Sequence, residues 1–250
     1  MIDLVNKRIL VTGASSGIGR TIAQCAASFG ARLILIGRNA ERLEETLDSL
    51  VGVGHEYFSA DVTNYDLMEQ IIRSSVSSGG QMNGFVHSAG IEITALLKAS
   101  SPDLIKEIFE TNVFAGFEIA RIITKKNIID KSGGSIVFIS SVMGKLGEPG
   151  KLAYSSSKSA LLSGSKSIAL ELAHKNIRCN CVLPGVVQTE MTENLFRSIP
   201  TESRDKIIGK HPLGLGKPED VGYLVSFLLS DYARWITGSE YIIDGGYSAQ

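Results

Sequence analysis

Near the start of the chain, Arg8-Ile9-Leu10-Val11 runs straight into Thr12-Gly13-Ala14-Ser15-Ser16-Gly17-Ile18-Gly19, and Thr21 to Phe29 then carries Ile22, Ala23, Ala26 and Ala27 at helix-compatible spacing. A short apolar run, a glycine turn and a helix in immediate succession are the opening half of a strand–helix–strand unit, and they commit the chain to a parallel sheet. The glycines permit a tight turn and close approach of the backbone to a ligand, and the N-terminus of the following helix offers free N–H groups and partial positive charge to phosphates. The spacing is Gly-x-x-x-Gly-x-Gly, different from the common Gly-x-Gly-x-x-Gly fingerprint.

The alternation continues to the end of the chain. Leu33-Ile34-Leu35-Ile36 reads as a strand buried on both faces, Arg42 to Leu50 as a helix, His55 to Ser59 as a strand and Leu67 to Val76 as a helix. Gly84 to His87 is a fourth strand, Leu104 to Asn127 forms two helices or one interrupted near Asn112, and Ser135 to Ile139 is a fifth strand. A long helix over Ala153 to His174, a strand over Ile177 to Leu183, a helix from Pro218 to Leu229 and a strand at Tyr241-Ile242-Ile243 complete the series. The pattern predicts an α/β chain folded as one Rossmann-type, doubly wound, mostly parallel sheet with helices on both faces, spanning residues 1–250 without a linker. Such a sheet binds its ligand at the carboxyl ends of its strands. Residues 188–212 are long and polar for a connection and are expected to form a lid.

The net charge of −1 supplies no basic field for nucleic acid or anionic membrane. No apolar stretch approaches the roughly 20 residues of a membrane span, and Met1 to Arg8 lacks the order of a signal peptide. The three cysteines include Cys179 and Cys181, which alternate along a strand as core residues do, and the four histidines show no ligand spacing. The expectation is a reduced, cytoplasmic protein without metal, nucleic-acid partner or membrane.

Tyr154 and Lys158 stand four residues apart, so a helix places them on one face, and Ser141 lies at the end of the fifth strand. A phenol beside an ammonium should lose its proton more readily than its reference pKa of about 10 suggests. This is a design for giving a proton to a carbonyl oxygen, or taking one from an alcohol, near neutral pH. Ser141 would hold the substrate oxygen. Its neighbour Ser140 points to the opposite face of the strand, so only one of the two can do so.

Taken together, the Thr-Gly-x-x-x-Gly-Ile-Gly loop and the Ser, Tyr-x-x-x-Lys set resemble the short, single-domain branch of the short-chain dehydrogenase/reductase family, in particular its 3-oxoacyl-carrier-protein reductases. Further motifs follow in the family's order: Asp61-Val62, Ser88-Ala89-Gly90, Asn112, Pro184-Gly185, Thr189 and Asp244-Gly245-Gly246. The resemblance implies Asn112, Ser141, Tyr154 and Lys158 as the catalytic set. Asn112 would anchor a water behind Lys158, which would also bond the nicotinamide ribose. It implies a cofactor site of Gly13, Ser15, Ser16, Gly17, Ile18, Gly19, Arg38, Asp61, Val62, Ala89, Gly90, Pro184, Gly185, Val187 and Thr189, together with Tyr154 and Lys158. Asp61 would meet the adenine.

Cofactor choice is read from Gly37-Arg38-Asn39. No carboxylate stands there for a ribose 2′-hydroxyl, and Arg38 offers a fork for a 2′-phosphate, which favours NADP (NADPH) over NAD. Ser16 departs from the second basic residue of many NADP-preferring relatives. His87-Ser88 replaces the family's usual Asn-Asn, and His87 is expected to be a structural hydrogen-bonder. The implied activity is reduction of a ketone, with a small molecule or acyl thioester as substrate. An NAD-dependent alcohol or sugar dehydrogenase and a non-catalytic cofactor sensor are the alternatives. Segments 91–97, 142–152 and 188–212 should line the substrate pocket with Ile91, Ile93, Leu96, Met143, Leu146, Met191, Leu195 and Phe196. Apolar positions from Ile105 to Ile123 exceed one helix stripe, and with the resemblance they imply a homotetramer.

Overall fold

The structure is a computed structural model and describes residues 2–249. Seven strands, β1 (Arg8–Thr12), β2 (Arg32–Gly37), β3 (Glu56–Ser59), β4 (Gly84–His87), β5 (Gly134–Ile139), β6 (Ile177–Pro184) and β7 (Glu240–Ile243), form one sheet in the order β3-β2-β1-β4-β5-β6-β7. The expectation was a mostly parallel sheet; each of the six neighbouring pairs is parallel.

Alternate residues of each inner strand enter two separate cores, as the period of two requires. Leu10, Ile34, Ile36, Phe85 and Phe138 pack beneath α3 (Tyr65–Gly79), α5 (Ala115–Ile123) and α6 (Leu152–Leu172). Ile9, Val11, Leu33, Leu35 and Val86 pack on the other side beneath α1 (Gly17–Ser28), α2 (Ala40–Asp48) and α9 (Pro218–Leu229). Cys179 and Cys181 share the first core, as their alternation predicts. The strand order reverses between β1 and β4, and the crevice at that switch point collects the loops that follow the strands.

Some element limits differ from the sequence reading for physical reasons. Helix α1 starts at Gly17, inside the glycine motif, so its free N–H groups open directly onto the crevice. The stretch 104–127 takes the interrupted form: α4 (Pro102–Phe109), a π-helical turn at Glu110–Phe114 and then α5. Segment 188–212 contains α7 (Glu190–Ser198) and α8 (Thr201–Gly209), neither of which has a fully buried residue. Arg8 is buried at the start of β1; its guanidinium pairs with Glu56 and donates to Ser75 Oγ at 2.6 Å and the Gly80 carbonyl at 2.7 Å. No described helix is long and apolar enough to cross a membrane.

Candidate active site

A cleft of about 550 Å³ runs across the carboxyl ends of the strands, from the glycine loop past Arg38 and Asp61 to Tyr154 and Lys158. At its centre the loop after β1 lies against the loop after β4. Gly13 has a φ of +69°, and a Cβ there would sit 2.8 Å from the Ala89 nitrogen, so glycine is needed for both its conformation and its closeness. Ser16 stands at the N-cap of α1 in extended conformation, and its side chain makes no capping bond. Ser15, Ser16, Gly17, Ile18 and Gly19 line the same wall.

At the far end of the cleft, Arg38 is exposed at the end of β2 and Asp61 follows β3. The Asp61 carboxyl is held below the usual range by hydrogen bonds from Thr63, which outweigh burial, with the Arg38 charge adding to them. Among the described residues Oδ1 alone is engaged, by Thr63 N at 2.9 Å and Thr63 Oγ1 at 2.8 Å. Val62 is buried beside it.

His87 explains how the departure from Asn-Asn is accommodated. Its Nε2 faces the Thr111 carbonyl at 3.2 Å and therefore carries the proton. Its Nδ1 is then the acceptor for Thr12 Oγ1 at 3.0 Å, and Thr12 Oγ1 accepts from the backbone N–H groups of Ser88 and Ala89, both at 3.2 Å. The imidazole thus braces β1, β4 and the π-helical turn. Burial, with Lys158 nearby, pushes its pKa down to about 3, so it stays neutral.

Tyr154 and Lys158 project from the first turns of α6. Lys158 is 5 % exposed and donates to the Ile139 carbonyl at 2.9 Å. Ser140 lines the cleft, but its hydroxyl donates to the Lys158 carbonyl at 2.8 Å, while Ser141, beside the cleft wall, hydrogen-bonds the Tyr154 phenol and caps the short turn Val142–Gly144. The two serines do point to different partners, as alternation along a strand requires.

The expected effect of Lys158 on the phenol is absent. Burial, and then the negative charge of Glu92, raise the Tyr154 pKa above its ordinary value, and the hydrogen bond with Ser141 offsets part of the rise. The ammonium is engaged by the backbone and lies 5.6 Å from the centre of the Tyr154 ring. Burial in turn lowers Lys158 to about 8.

Asn112 is fully buried in the π-helical turn. Its Oδ1 accepts from Ile91 N at 2.8 Å, and its Nδ2 donates to the Ile91 carbonyl and Ser157 Oγ, both at 3.0 Å. Three protein groups thus engage the side-chain amide. A Cβ on Gly90 would lie 3.3 Å from both Asn112 Oδ1 and Lys158 Nζ, so glycine lets these side chains come together.

Ala89, Gly90 and Thr189 also line the cleft, whereas Asn112, Ser141, Pro184, Gly185 and Val187 stand behind or beside its wall. Of the apolar residues assigned to the substrate pocket, Ile91 and Met191 reach it, and Leu96, Met191 and Leu195 are 68 %, 61 % and 40 % exposed. Sequence reasoning missed two carboxylates. Glu92 lines the cleft near Tyr154 and pairs with Lys151, which also bonds Thr94 Oγ1 at 2.8 Å. Glu190, in the first turn of α7, lines the cleft and pairs with Arg42. Their positions next to the Gly90 and Thr189 motif residues were the available signal.

A dinucleotide fits this chemistry: an amide-rich turn for its pyrophosphate, close-packed glycine where its spine must pass, and hydroxyl and ammonium groups at the reactive end. A family profile described as enoyl-(acyl carrier protein) reductase matches residues 13–248. The chain is 36 % identical over 247 residues to a 3-oxoacyl-(acyl-carrier-protein) reductase of Rickettsia conorii, covering 98 % of each. It is 34 % identical over 246 residues to one from Thermotoga maritima, covering 97 % of this chain and 98 % of that one. A crystal structure of a Sinorhizobium meliloti protein described as a short-chain alcohol dehydrogenase superposes with a TM-score of 0.92 at 32 % identity, covering 100 % of this chain and 99 % of the other. The chain belongs to the short-chain dehydrogenase/reductase family and is an oxidoreductase acting on CH–OH groups; the family works with a nicotinamide cofactor.

Proposed function

We propose that this short-chain dehydrogenase/reductase uses NADPH to reduce a ketone to a secondary alcohol, with a 3-oxoacyl thioester as the leading substrate class. The observation that carries this reading is one continuous cleft with the Tyr154 phenol and the Lys158 ammonium at one end and Arg38 at the other. The names of the Rickettsia and Thermotoga relatives supply the acyl-carrier-protein thioester. Ile91 and the exposed Met191, both on the cleft wall, suit an acyl chain.

The glycine loop and the start of α1 would hold the pyrophosphate, Arg38 the 2′-phosphate, Asp61 the adenine, and Lys158 the nicotinamide ribose. Bound NADPH supplies the hydride. Tyr154 gives its proton to the oxygen of the reacting carbonyl, and the raised pKa keeps that proton available across the neutral range. Ser141 donates to the same oxygen, so two hydroxyls meet the charge that develops there. Lys158, as ammonium, adds positive potential beneath them. Asn112 keeps the 90–91 loop, the π-helical turn and α6 in register, so these donors hold one geometry.

Residues 1–250 act on this reading as one dinucleotide-binding domain with 188–212 as a lid. The three buried, unpaired cysteines support a reduced cytoplasmic setting. A panel of acyl thioesters, ketones and alcohols assayed with NADPH, NADH, NADP and NAD tests the reading, with Arg38→Ala beside the wild type. Thioester-dependent NADPH oxidation is expected, with NADPH affinity about tenfold weaker in Arg38→Ala, since a bond to a charged group contributes about 1.5–3 kcal/mol. Turnover only of alcohols with NAD would replace the reading with an oxidative dehydrogenase. Cofactor binding without turnover of any substrate would point to a sensor.

A further inference from the structure

Segment 188–212 leaves the sheet after β6 and returns at His211, and this histidine closes the segment on its own starting point. His211 is 4 % exposed. Val186 N donates to its Nε2 at 3.1 Å, and its Nδ1 lies 2.8 Å from the Ile207 carbonyl. A backbone N–H can only donate and a carbonyl can only accept, so both partners fix the ring as the neutral tautomer protonated on Nδ1. The imidazole also lies against the Gly185 backbone, where a Cβ would be 3.1 Å from Nε2, and packs on the Tyr247 ring with centroids 4.9 Å apart.

The pinned turn leads into the cleft wall. Gly216 N donates to the Val186 carbonyl at 3.1 Å and Gln188 N to the Gly216 carbonyl at 2.8 Å. Thr192 Oγ1 then bonds the Val187 carbonyl at 2.6 Å, which ties the first turn of α7 to the same strand exit. Thr189, Glu190, Met191 and Asn194 from that turn line the cleft. No other described side chain bridges the Val186 amide to the returning end of the segment.

We infer that His211 is a positioning residue: as a neutral imidazole it clasps the returning end of 188–212 to Val186 and so sets the wall that Thr189 to Asn194 present to the cofactor. The effect on cofactor rests on the dinucleotide reading of the cleft; the clasp itself does not. Protonation would turn the Nε2 acceptor into a donor facing the Val186 N–H and break the clasp. The ionisable groups facing the ring are Asp244, Tyr247, and Lys210, which sits 5.6 Å over the Tyr247 ring. Burial works to raise the Asp244 carboxyl, but hydrogen bonds from Ser248 and Gly246, with His211 nearby, carry it below the usual range.

Two measurements on the full chain test the clasp. The first is amide exchange without ligand on the wild type, His211→Gln and His211→Leu, reading Val186 and residues 187–194. Gln can accept from Val186 and donate to Ile207 but takes up no proton, so it should preserve protection where Leu loses about tenfold, the scale of one buried hydrogen bond. The second is NADPH titration of the same three proteins. His211→Gln should keep most of the wild-type affinity, and His211→Leu should lose about tenfold. Unchanged Val186 exchange in His211→Leu, or a loss in His211→Gln as large as in His211→Leu, would overturn the inference. If the wild type binds no NADPH, the dinucleotide reading fails while the exchange measurement still decides the clasp.

Discussion

At the scale of single residues, the site depends on how burial sets two proton affinities in opposite directions. Burial and Glu92 raise Tyr154, while burial lowers Lys158 to about 8. Tyr154→Phe removes the proton but little of the volume, so turnover should fall by about 10²–10⁴-fold, the usual contribution of an acid–base group, with the fold intact by circular dichroism. Activity within tenfold of wild type would take Tyr154 out of the mechanism. The lysine makes a second prediction. The ammonium is present below its folded pKa and lost above it, whereas the phenol keeps its proton through the same range. The kcat/KM for reduction should therefore be level through neutral pH and fall as pH rises through about 8. A profile flat to pH 10 would show that the Lys158 charge is not needed. The placing of Tyr154 and Lys158 together in the cleft was legible because a four-residue spacing fixes their shared helix face. The direction of the tyrosine shift was not, because it depends on burial and on Glu92, which arrives from a loop 62 positions earlier in the chain. The pairing of Glu92 with Lys151 is equally a product of the fold.

At the scale of elements, the π-helical turn at Glu110–Phe114 does what neither an unbroken helix nor a loop would do. Its wider turn carries Asn112 inward, where one amide accepts from the Ile91 N–H and donates to the Ile91 carbonyl and to Ser157 on α6. Asn112→Leu would leave the Ile91 N–H and carbonyl buried without those partners. We expect it to cost about 2–3 kcal/mol of stability as well as activity, since each stranded buried group costs about 1–3 kcal/mol. Urea unfolding measures this, and a variant as stable as wild type would assign the turn to something other than bracing. The interruption near Asn112 was visible as a polar residue within an apolar helical pattern. The kind of interruption was not, because a π turn and a loop between two helices share the same composition. The sheet was legible almost throughout, since strands buried on both faces read as unbroken apolar runs. The start of α1 was misplaced because glycine lowers helix propensity, and here the cleft, rather than propensity, selects the glycines. The helices α7 and α8 were missed because their residues bury too little surface to leave a clear apolar stripe.

For the whole molecule, what the fold leaves uncovered matters more than what it buries. Of the apolar residues on α4, the π-helical turn and α5, Ile108, Val113, Ile119, Ile122 and Ile123 are buried within the chain, so much of the excess apolar surface already has a use. What remains is narrower and better defined: Phe114 is 46 % exposed, and Phe117 and Ile168 border an apolar groove of about 360 Å³ between α5 and α6. Gly164 forms the floor of that groove, where any Cβ would lie 2.3 Å from the Phe117 ring. At the opposite end of the chain, β7 is a sheet edge with Ile242 45 % exposed, and the parallel partner it has on one side leaves its other side open. Two separate uncovered surfaces, one along a helix pair and one along a strand edge, are what a dimer of dimers would cover by two different two-fold contacts. We therefore expect a homotetramer by light scattering at micromolar concentration. Ile168→Glu, which puts a charge in the α5–α6 groove without touching the β7 edge, should reduce it to a dimer while the far-ultraviolet circular dichroism stays unchanged. A wild-type protein that scatters as a single chain would refute the assembly. A mutant that stays tetrameric would keep the assembly but move its helical contact away from this groove.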